Sequence, residues 1–122
     1  MEKLANYIDG ELTPPASGRY LDNYEPATGR VFSQVPSSDG SDLDAAVAAG
    51  ERAFGGWSRT PAEERCRILL AVAEGIEANA EELAQAESKD NGKPVSLARA
   101  LDIPRASTNG KTCRDPSGMR RP

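Results

Sequence analysis

The side chains that could carry out chemistry in this sequence are few, and they do not form a known catalytic set. Cys66 lies between Arg65 and Arg67, and neighbouring guanidinium groups favour a reactive thiolate. A nucleophilic cysteine or serine also needs a base, and the chain contains no histidine. We therefore expect Cys66 to be a small apolar side chain within a helix, and we assign no catalytic residue.

Two further patterns suggest ligand sites without completing one. Gly110-Lys111-Thr112 matches the end of a phosphate-binding loop, but the position that requires the loop's first glycine is Arg105. Cys66 and Cys113, without a histidine, cannot complete a structural zinc site. The many glutamates, from Glu63 to Glu87, follow the spacing of solvated helix faces.

Length and charge limit the possible functions. The chain has 122 residues and a formal charge of −4, which suits one small acidic domain. Residues 110–122 carry four basic groups and one acidic group without an aromatic side chain, so we expect no nucleic-acid partner. The longest apolar run, Ile68 to Ala73, is too short to span a membrane. Because residues 1–20 lack an apolar signal segment, we expect a cytoplasmic protein.

Short strands are predicted in the first 40 residues. Asn6–Ile8 and Glu11–Leu12 flank Asp9-Gly10, a strong hairpin signal. Alternation of apolar and polar residues predicts a strand over Arg19–Tyr24, and Val31–Val35 predicts another.

Helices are predicted over the rest of the chain to about residue 109. Ser41 is the expected cap of a first helix that ends at Gly55-Gly56, with Trp57 anchoring the turn against a core. Thr60 to Glu63 reads as a capping box for a second helix. A third ends at Asn91-Gly92, and Pro104 is expected to kink or end a fourth. The expected apolar faces are Leu43, Ala46, Val47 and Phe54 on the first helix, and Ile68, Leu69, Val72 and Ile76 on the second.

Several longer segments, taken together, carry a family resemblance. They are NYIDGEL (6–12), NYEPATGRVFSQVP (23–36), DLDAAVAAGERAFGGW (42–57) and AESKDNGKP (86–94). Their order resembles the N-terminus of the aldehyde dehydrogenase superfamily. LARALDIPRA (97–106) is similar to the branch that acts on 2-hydroxymuconic or 2-aminomuconic semialdehyde.

The resemblance implies a parent enzyme that oxidises an aldehyde or semialdehyde to a carboxylic acid with NAD or NADP. The family's catalytic cysteine and glutamate, and its cofactor-binding residues, have no counterpart in this sequence. We therefore expect an α+β fragment: short strands or a hairpin followed by three to four helices, as an incomplete piece of the family's α/β cofactor domain. Residues 1–109 are the predicted partial domain, and 110–122 the predicted disordered basic tail.

The resemblance also implies one candidate metal site. Several family members hold a structural monovalent cation with backbone oxygens and an aspartate, and the matching positions are Asn23, Tyr24 and Asp102. The alternative for Asp102 is a purely structural carboxylate near Pro104.

Three functions therefore remain open. The first is a dehydrogenase fragment that is inactive alone and binds no cofactor. The second is a non-catalytic oligomerisation or binding module whose partner is itself or a full-length dehydrogenase subunit. The third is an unrelated small domain with a regulatory role through its basic tail, which would require salt-dependent binding to nucleic acid.

Overall fold

The computed structural model describes residues 2–111. The chain divides into two compact units, unit 1 (Met1–Arg59) and unit 2 (Thr60–Pro122). In the described residues, unit 1 contains β1 (Glu2–Lys3), β2 (Asn6–Ile8), β3 (Glu11–Thr13), β4 (Tyr20–Glu25), β5 (Arg30–Pro36) and α1 (Gly40–Trp57). Unit 2 contains helices alone in its described part. The predicted order of short strands followed by helices is confirmed.

The strands of unit 1 form a three-stranded sheet and a separate hairpin. In the sheet, β5 is central, parallel to β1 and antiparallel to β4. In the hairpin, β2 pairs with β3 across Asp9 (φ 55°) and Gly10 (φ 86°). Two successive positive φ angles match the twist of antiparallel strands, which is why Asp-Gly predicts this turn correctly.

Two carboxylates begin α1. Asp39 is the N-cap and accepts a hydrogen bond from the Ser41 N–H at 3.0 Å. Asp42 accepts one from the Asp39 N–H at 3.0 Å, which completes a capping box. The prediction of Ser41 as the cap is wrong by two residues, because Asp and Ser are similarly good caps. The helix also continues past Gly55-Gly56 to Trp57.

Unit 2 begins with α2 (Ala62–Ala78) and α3 (Ala80–Asn91). The N-cap of α2 is Pro61 rather than Thr60, and it makes no side-chain cap hydrogen bond, so the predicted capping box is wrong. Pro61 instead presets the backbone for the first turn. The end of α3 is confirmed: Gly92 adopts a left-handed conformation (φ 76°) and its N–H donates to the Ser88 carbonyl.

A continuous helical path follows Pro94. It consists of α4 (Val95–Leu97), a π-helical segment (Ala98–Asp102) and α5 (Ile103–Lys111). Pro104 thus lies inside a helix that it was predicted to kink or end. Its ring crowds the carbonyl four residues earlier, which lies in the π-helical segment, where a wider turn relieves such crowding. Lys111 of the predicted tail belongs to α5, residues 112–122 lie outside the described residues, and their disorder stays a prediction.

Small side chains fill the interior of unit 2. Ala73, Ala84 and Ala98 are 0% exposed and Ser107 is 2% exposed. The apolar faces predicted on the first two helices are largely accessible instead of buried. Their exposed side chains include Leu43, Val47, Phe54, Ile68, Leu69 and Val72. Trp57 is 43% exposed, so it is not anchored in a core as predicted. Helices normally bury such faces against another layer. None of the helices described here is long and apolar enough to cross a membrane.

Candidate functional site

Two of the three predicted cation ligands lie on β4 of unit 1. The register between β4 and β5 shifts between Asn23 and Tyr24, so that Asn23 pairs with Ser33 and Tyr24 with Val31. The Asn23 amide donates to the Ser33 hydroxyl at 3.3 Å, and Ser33 is buried. A β-bulge of this kind re-aims the backbone locally, which is compatible with backbone oxygens as ligands.

The third predicted ligand, Asp102, ends the π-helical segment of unit 2 and forms an ion pair with Lys93. The Lys93 ammonium donates to Asp102 Oδ2 and lies 3.8 Å from Glu87 Oε1. The turn after α3 places Lys93: Gly92 reverses the chain, and the Asn91 side chain accepts from the Lys93 N–H at 2.8 Å. The hydrogen bond to Asp102 is the main reason that the pKa of Lys93 is raised.

Asp102, the one carboxylate of the predicted cation ligands, is already paired with an ammonium group. A hard cation takes several oxygen ligands, and the single carboxylate of the set already accepts from an ammonium group. Asn23 and Tyr24 belong to unit 1 and Asp102 to unit 2. Within residues 2–111, no group of three or more cysteine, aspartate or glutamate side chains could hold a metal ion. The cation site stays a prediction, and the Lys93–Asp102 ion pair is the contact that sequence reasoning missed.

Other charged side chains connect helices rather than form a reactive cluster. Arg99 donates to both carboxylate oxygens of Glu81 at 2.8 and 2.7 Å. These hydrogen bonds are the main reason that the pKa of Glu81 is lowered to about 2. Lys111 and Ser107 donate to Glu77 Oε1 at 2.5 and 2.7 Å and lower its pKa. The bidentate contact fixes the orientation of the Arg99 and Glu81 side chains relative to each other and joins the π-helical segment to α3. The contacts of Glu77 join α5 to α2.

The candidate nucleophile lies between two arginines in the sequence of α2. Cys66 is half-buried on α2 and belongs to no disulfide. Glu64, nearby on the same helix, is committed to Arg67, whose side-chain hydrogen bonds lower the pKa of Glu64. Cys113, the other cysteine, lies outside the described residues.

The first turns of the three long helices carry acidic side chains. A helix N-terminus attracts anions through its free N–H groups and its dipole. In this protein carboxylates already occupy the first turns: Asp42 in α1, Glu63 and Glu64 in α2, and Glu81 and Glu82 in α3. These carboxylates complement the positive ends of the helix dipoles.

Comparison with known proteins identifies the larger context of this fold. The model of the family described as "Aldehyde dehydrogenase family" matches residues 12–115. The chain belongs to the aldehyde dehydrogenase family. This confirms the family resemblance found in the sequence.

Relatives of the family extend well beyond the matched region. The chain is 49% identical over 106 residues to the 2-aminomuconic semialdehyde dehydrogenase of Bos taurus, covering 87% of this chain and 21% of that enzyme. It is 47% identical over 105 residues to acetaldehyde dehydrogenase 2 of Cupriavidus necator, covering 86% of this chain and 21% of that enzyme. The chain thus spans about a fifth of the length of the curated relatives that it matches.

A solved family member has the same fold over nearly the whole chain. PnpE from Pseudomonas sp. WBC-3, solved in complex with nicotinamide adenine dinucleotide, superposes with a TM-score of 0.86 at 39% identity. The match covers 91% of this chain and 23% of PnpE. The predicted class, an α+β fragment of an aldehyde dehydrogenase, is confirmed.

Proposed function

We propose that this chain is the N-terminal part of an NAD(P)-dependent aldehyde dehydrogenase and that it neither binds the cofactor nor oxidises aldehydes alone. The family match over residues 12–115 carries the first part of the proposal. The acidic first turns of α1, α2 and α3 support the second, because carboxylates repel the phosphates of a dinucleotide.

The chain's own residues supply structure to the parent activity rather than a reacting group. Lys93 and Asp102 join the turn after α3 to the π-helical segment, and Arg99 joins that segment to Glu81 on α3. These contacts hold the helices in the arrangement that recurs in PnpE. We also propose that the parent enzyme acts in the cytoplasm on an aldehyde or semialdehyde.

The inactivity of the isolated chain is tested directly. The purified chain is incubated with acetaldehyde and NAD or NADP, and the absorbance of the reduced nicotinamide is followed, with C. necator acetaldehyde dehydrogenase 2 as the positive control. We expect no turnover and, by calorimetry, no binding of either cofactor. Turnover by this chain alone would overturn the second part of the proposal.

Membership in a working enzyme is tested by a chimaera. The matched 105 residues of the C. necator enzyme are replaced by the corresponding residues of this chain. We expect the fused protein to fold and to oxidise acetaldehyde. A folded but inactive chimaera would contradict the proposal that this chain supplies a functional dehydrogenase segment.

The exposed apolar side chains favour a second candidate function, a non-catalytic module that associates with itself or with a full-length dehydrogenase subunit. Leu43 and Phe54 are 64% and 66% exposed, and surfaces of this kind mark protein–protein contacts. Size-exclusion chromatography with light scattering separates the possibilities. A defined oligomer of the chain alone supports self-association, and a monomer argues against it.

A further inference from the structure

A concavity lies on unit 1 between β2 and the start of α1. It has a volume of about 510 Å³, and Tyr7, Ile8, Leu43 and Ala46 supply its apolar lining. Tyr7 and Leu43 are 73% and 64% exposed, so this lining is open to solvent. A concave surface of this size has room for side chains from another segment.

Two carboxylates line the same concavity, and one of them keeps an oxygen available. Asp42 is buried, and its oxygens accept from the Ala16 and Asp39 N–H groups. Asp39 is exposed and accepts from Ser41 through Oδ1, while within residues 2–111 its Oδ2 accepts no hydrogen bond. The hydrogen bonds from Ser41 are the main reason that the pKa of Asp39 is lowered, and Arg19 contributes least. The concavity therefore presents a charged carboxylate oxygen beside an apolar lining.

This combination favours an occupant with an apolar side chain next to basic ones. Residues 112–122 of the chain contain such a sequence, Met119-Arg120-Arg121. A methionine side chain adapts to irregular apolar surfaces, and a guanidinium group forms directed hydrogen bonds with a carboxylate. Net charge also matches, because residues 112–122 carry three arginines and one aspartate, whereas residues 1–59 carry nine acidic and five basic groups. The two parts therefore attract each other at neutral pH.

The start of this segment is fixed within its own copy of the chain. Lys111 ends α5, and its ammonium donates to Glu77 on α2 at 2.5 Å. The eleven residues that follow span at most about 40 Å when fully extended. That length is sufficient to reach a surface on a neighbouring molecule.

A second copy of the chain offers the same concavity and the same segment. Reciprocal exchange of the two segments closes a dimer in which each contact is made twice. It also covers Leu43, whose exposure favours self-association. We infer that residues 112–122 of a second copy bind the concavity, with Met119 on the apolar lining and an arginine at Asp39 Oδ2. This inference rests on self-association, the second candidate function.

Sedimentation equilibrium of the full chain measures the association. A reductant is included, so that Cys66 and Cys113 form no disulfide between copies. We expect a monomer–dimer equilibrium that depends on protein concentration. A chain that stays monomeric at millimolar concentration would overturn both the inference and self-association, and would leave the dehydrogenase proposal to its own test with the chimaera.

A matched pair of variants on α1 locates the binding surface. Leu43→Gln removes apolar surface inside the concavity, and Val47→Gln removes it from an exposed position one helical turn away, outside the concavity. We expect Leu43→Gln to raise the dimer dissociation constant by about tenfold or more, because a leucine side chain is no longer buried on association. Val47→Gln is expected to stay within about threefold of the wild type. Equal effects would contradict the assigned surface while leaving self-association standing.

The charge at the concavity is tested by Asp39→Asn. Asparagine caps a helix about as well as aspartate, so α1 keeps its N-cap while the negative charge is removed. We expect dimerisation to weaken by roughly threefold to fivefold at low salt, as for an exposed ion pair, and by less at high salt. An unchanged dissociation constant at low salt would contradict the contact at Asp39.

A second matched pair tests the bound segment. Met119→Gln with Arg120→Gln changes the residues assigned to the contact, and Arg114→Gln with Ser117→Gln is the control. Each pair removes one positive charge and introduces two glutamines. We expect only the first pair to weaken dimerisation by about tenfold or more. Equal dissociation constants for the two variants would refute the assignment of Met119 and Arg120.

Mixing variants shows whether the segment comes from a second copy. A Leu43→Gln chain keeps an intact segment, and a chain with Met119→Gln and Arg120→Gln keeps an intact concavity. We expect the mixture to associate more strongly than either variant alone, because one intact contact forms in the mixed dimer. A mixture that associates no better than its components would refute exchange between copies. So would a monomeric wild-type chain in which the Met119 and Arg120 substitutions shift the NMR signals of Tyr7 and Leu43, because the chain's own segment would then be the occupant.

Discussion

Replacing Ala73 by leucine is expected to destabilise unit 2 by about 1 to 3 kcal/mol. Ala73 is the buried residue of α2, a helix that packs along α5, and it has no accessible surface. Leucine adds carbon atoms where the alanine methyl group is already enclosed. Neighbouring elements must move, or the new side chain must adopt an unfavourable rotamer, and both cost free energy.

The sign of the change distinguishes tight from loose packing. If unit 2 were loosely packed at this position, the added carbons would be buried at a gain of roughly 0.8 kcal/mol each. Ala71→Leu is the matched control, because Ala71 is exposed on the same helix two residues away. We expect the control to change stability by no more than about 0.5 kcal/mol.

Urea unfolding followed by circular dichroism measures both changes. The midpoint for Ala73→Leu is expected to fall while the dependence of the free energy on urea is retained, which indicates lost stability rather than a changed denatured state. Equal midpoints for the two variants, or a higher midpoint for Ala73→Leu, would refute the small-residue packing of unit 2.

Three further predictions concern individual residues. Asp42→Ala should lower the free energy of unfolding by about 2 to 4 kcal/mol, because it removes the acceptor for the Ala16 and Asp39 N–H groups. Asp42→Asn keeps one acceptor and should lower it less, as measured by urea unfolding. Arg99→Gln should raise the pKa of Glu81 from about 2 towards 4.5 in a carboxyl NMR titration, and an unchanged titration would refute the ion pair. The pair stabilises the fold above pH 4.5, and this stabilisation is lost as the pH falls towards 2. Gly92→Ala should destabilise the protein by about 1 kcal/mol, because the φ of Gly92 is 76°. Gly75→Ala should stabilise it by about 0.5 to 1 kcal/mol, because Gly75 lies within α2 and has open space for a Cβ. Thermal melts in which both variants shift the melting temperature in the same direction would contradict this.

Features that depend on a few adjacent residues could be predicted from the sequence. The Asp9-Gly10 hairpin and the Gly92 helix end are examples, since each needs a positive φ that Gly adopts without strain. The strands β4 and β5 followed from alternation and from Pro and Gly at their ends. By contrast, β1 pairs with a strand about thirty residues away, and no local pattern in two residues predicts such a contact.

Choices between neighbouring alternatives could not be predicted. Asp39 and Ser41 are both good caps, and only the path of the chain selects Asp39. Pro104 has the chemistry of a helix breaker, yet a preceding π-helical segment keeps the helix continuous. The tertiary arrangement decides both outcomes.

The candidate site shows the same division. The carboxylate at Asp102 could be singled out from the resemblance, but its partner Lys93 depends on the turn at Gly92 and on the position of the π-helical segment. Apolar periodicity singled out Leu43, Val47 and Phe54 on α1 but could not show that they are exposed, because the pattern assumes that a covering layer is present.

The acetaldehyde-dependent reduction of NAD by the fused chimaera tests the central claim most directly. If this chain is the opening segment of an aldehyde dehydrogenase, a chimaera with the C. necator remainder will turn over acetaldehyde while the chain and the remainder expressed alone will not. A correctly folded chimaera without this activity would contradict the account.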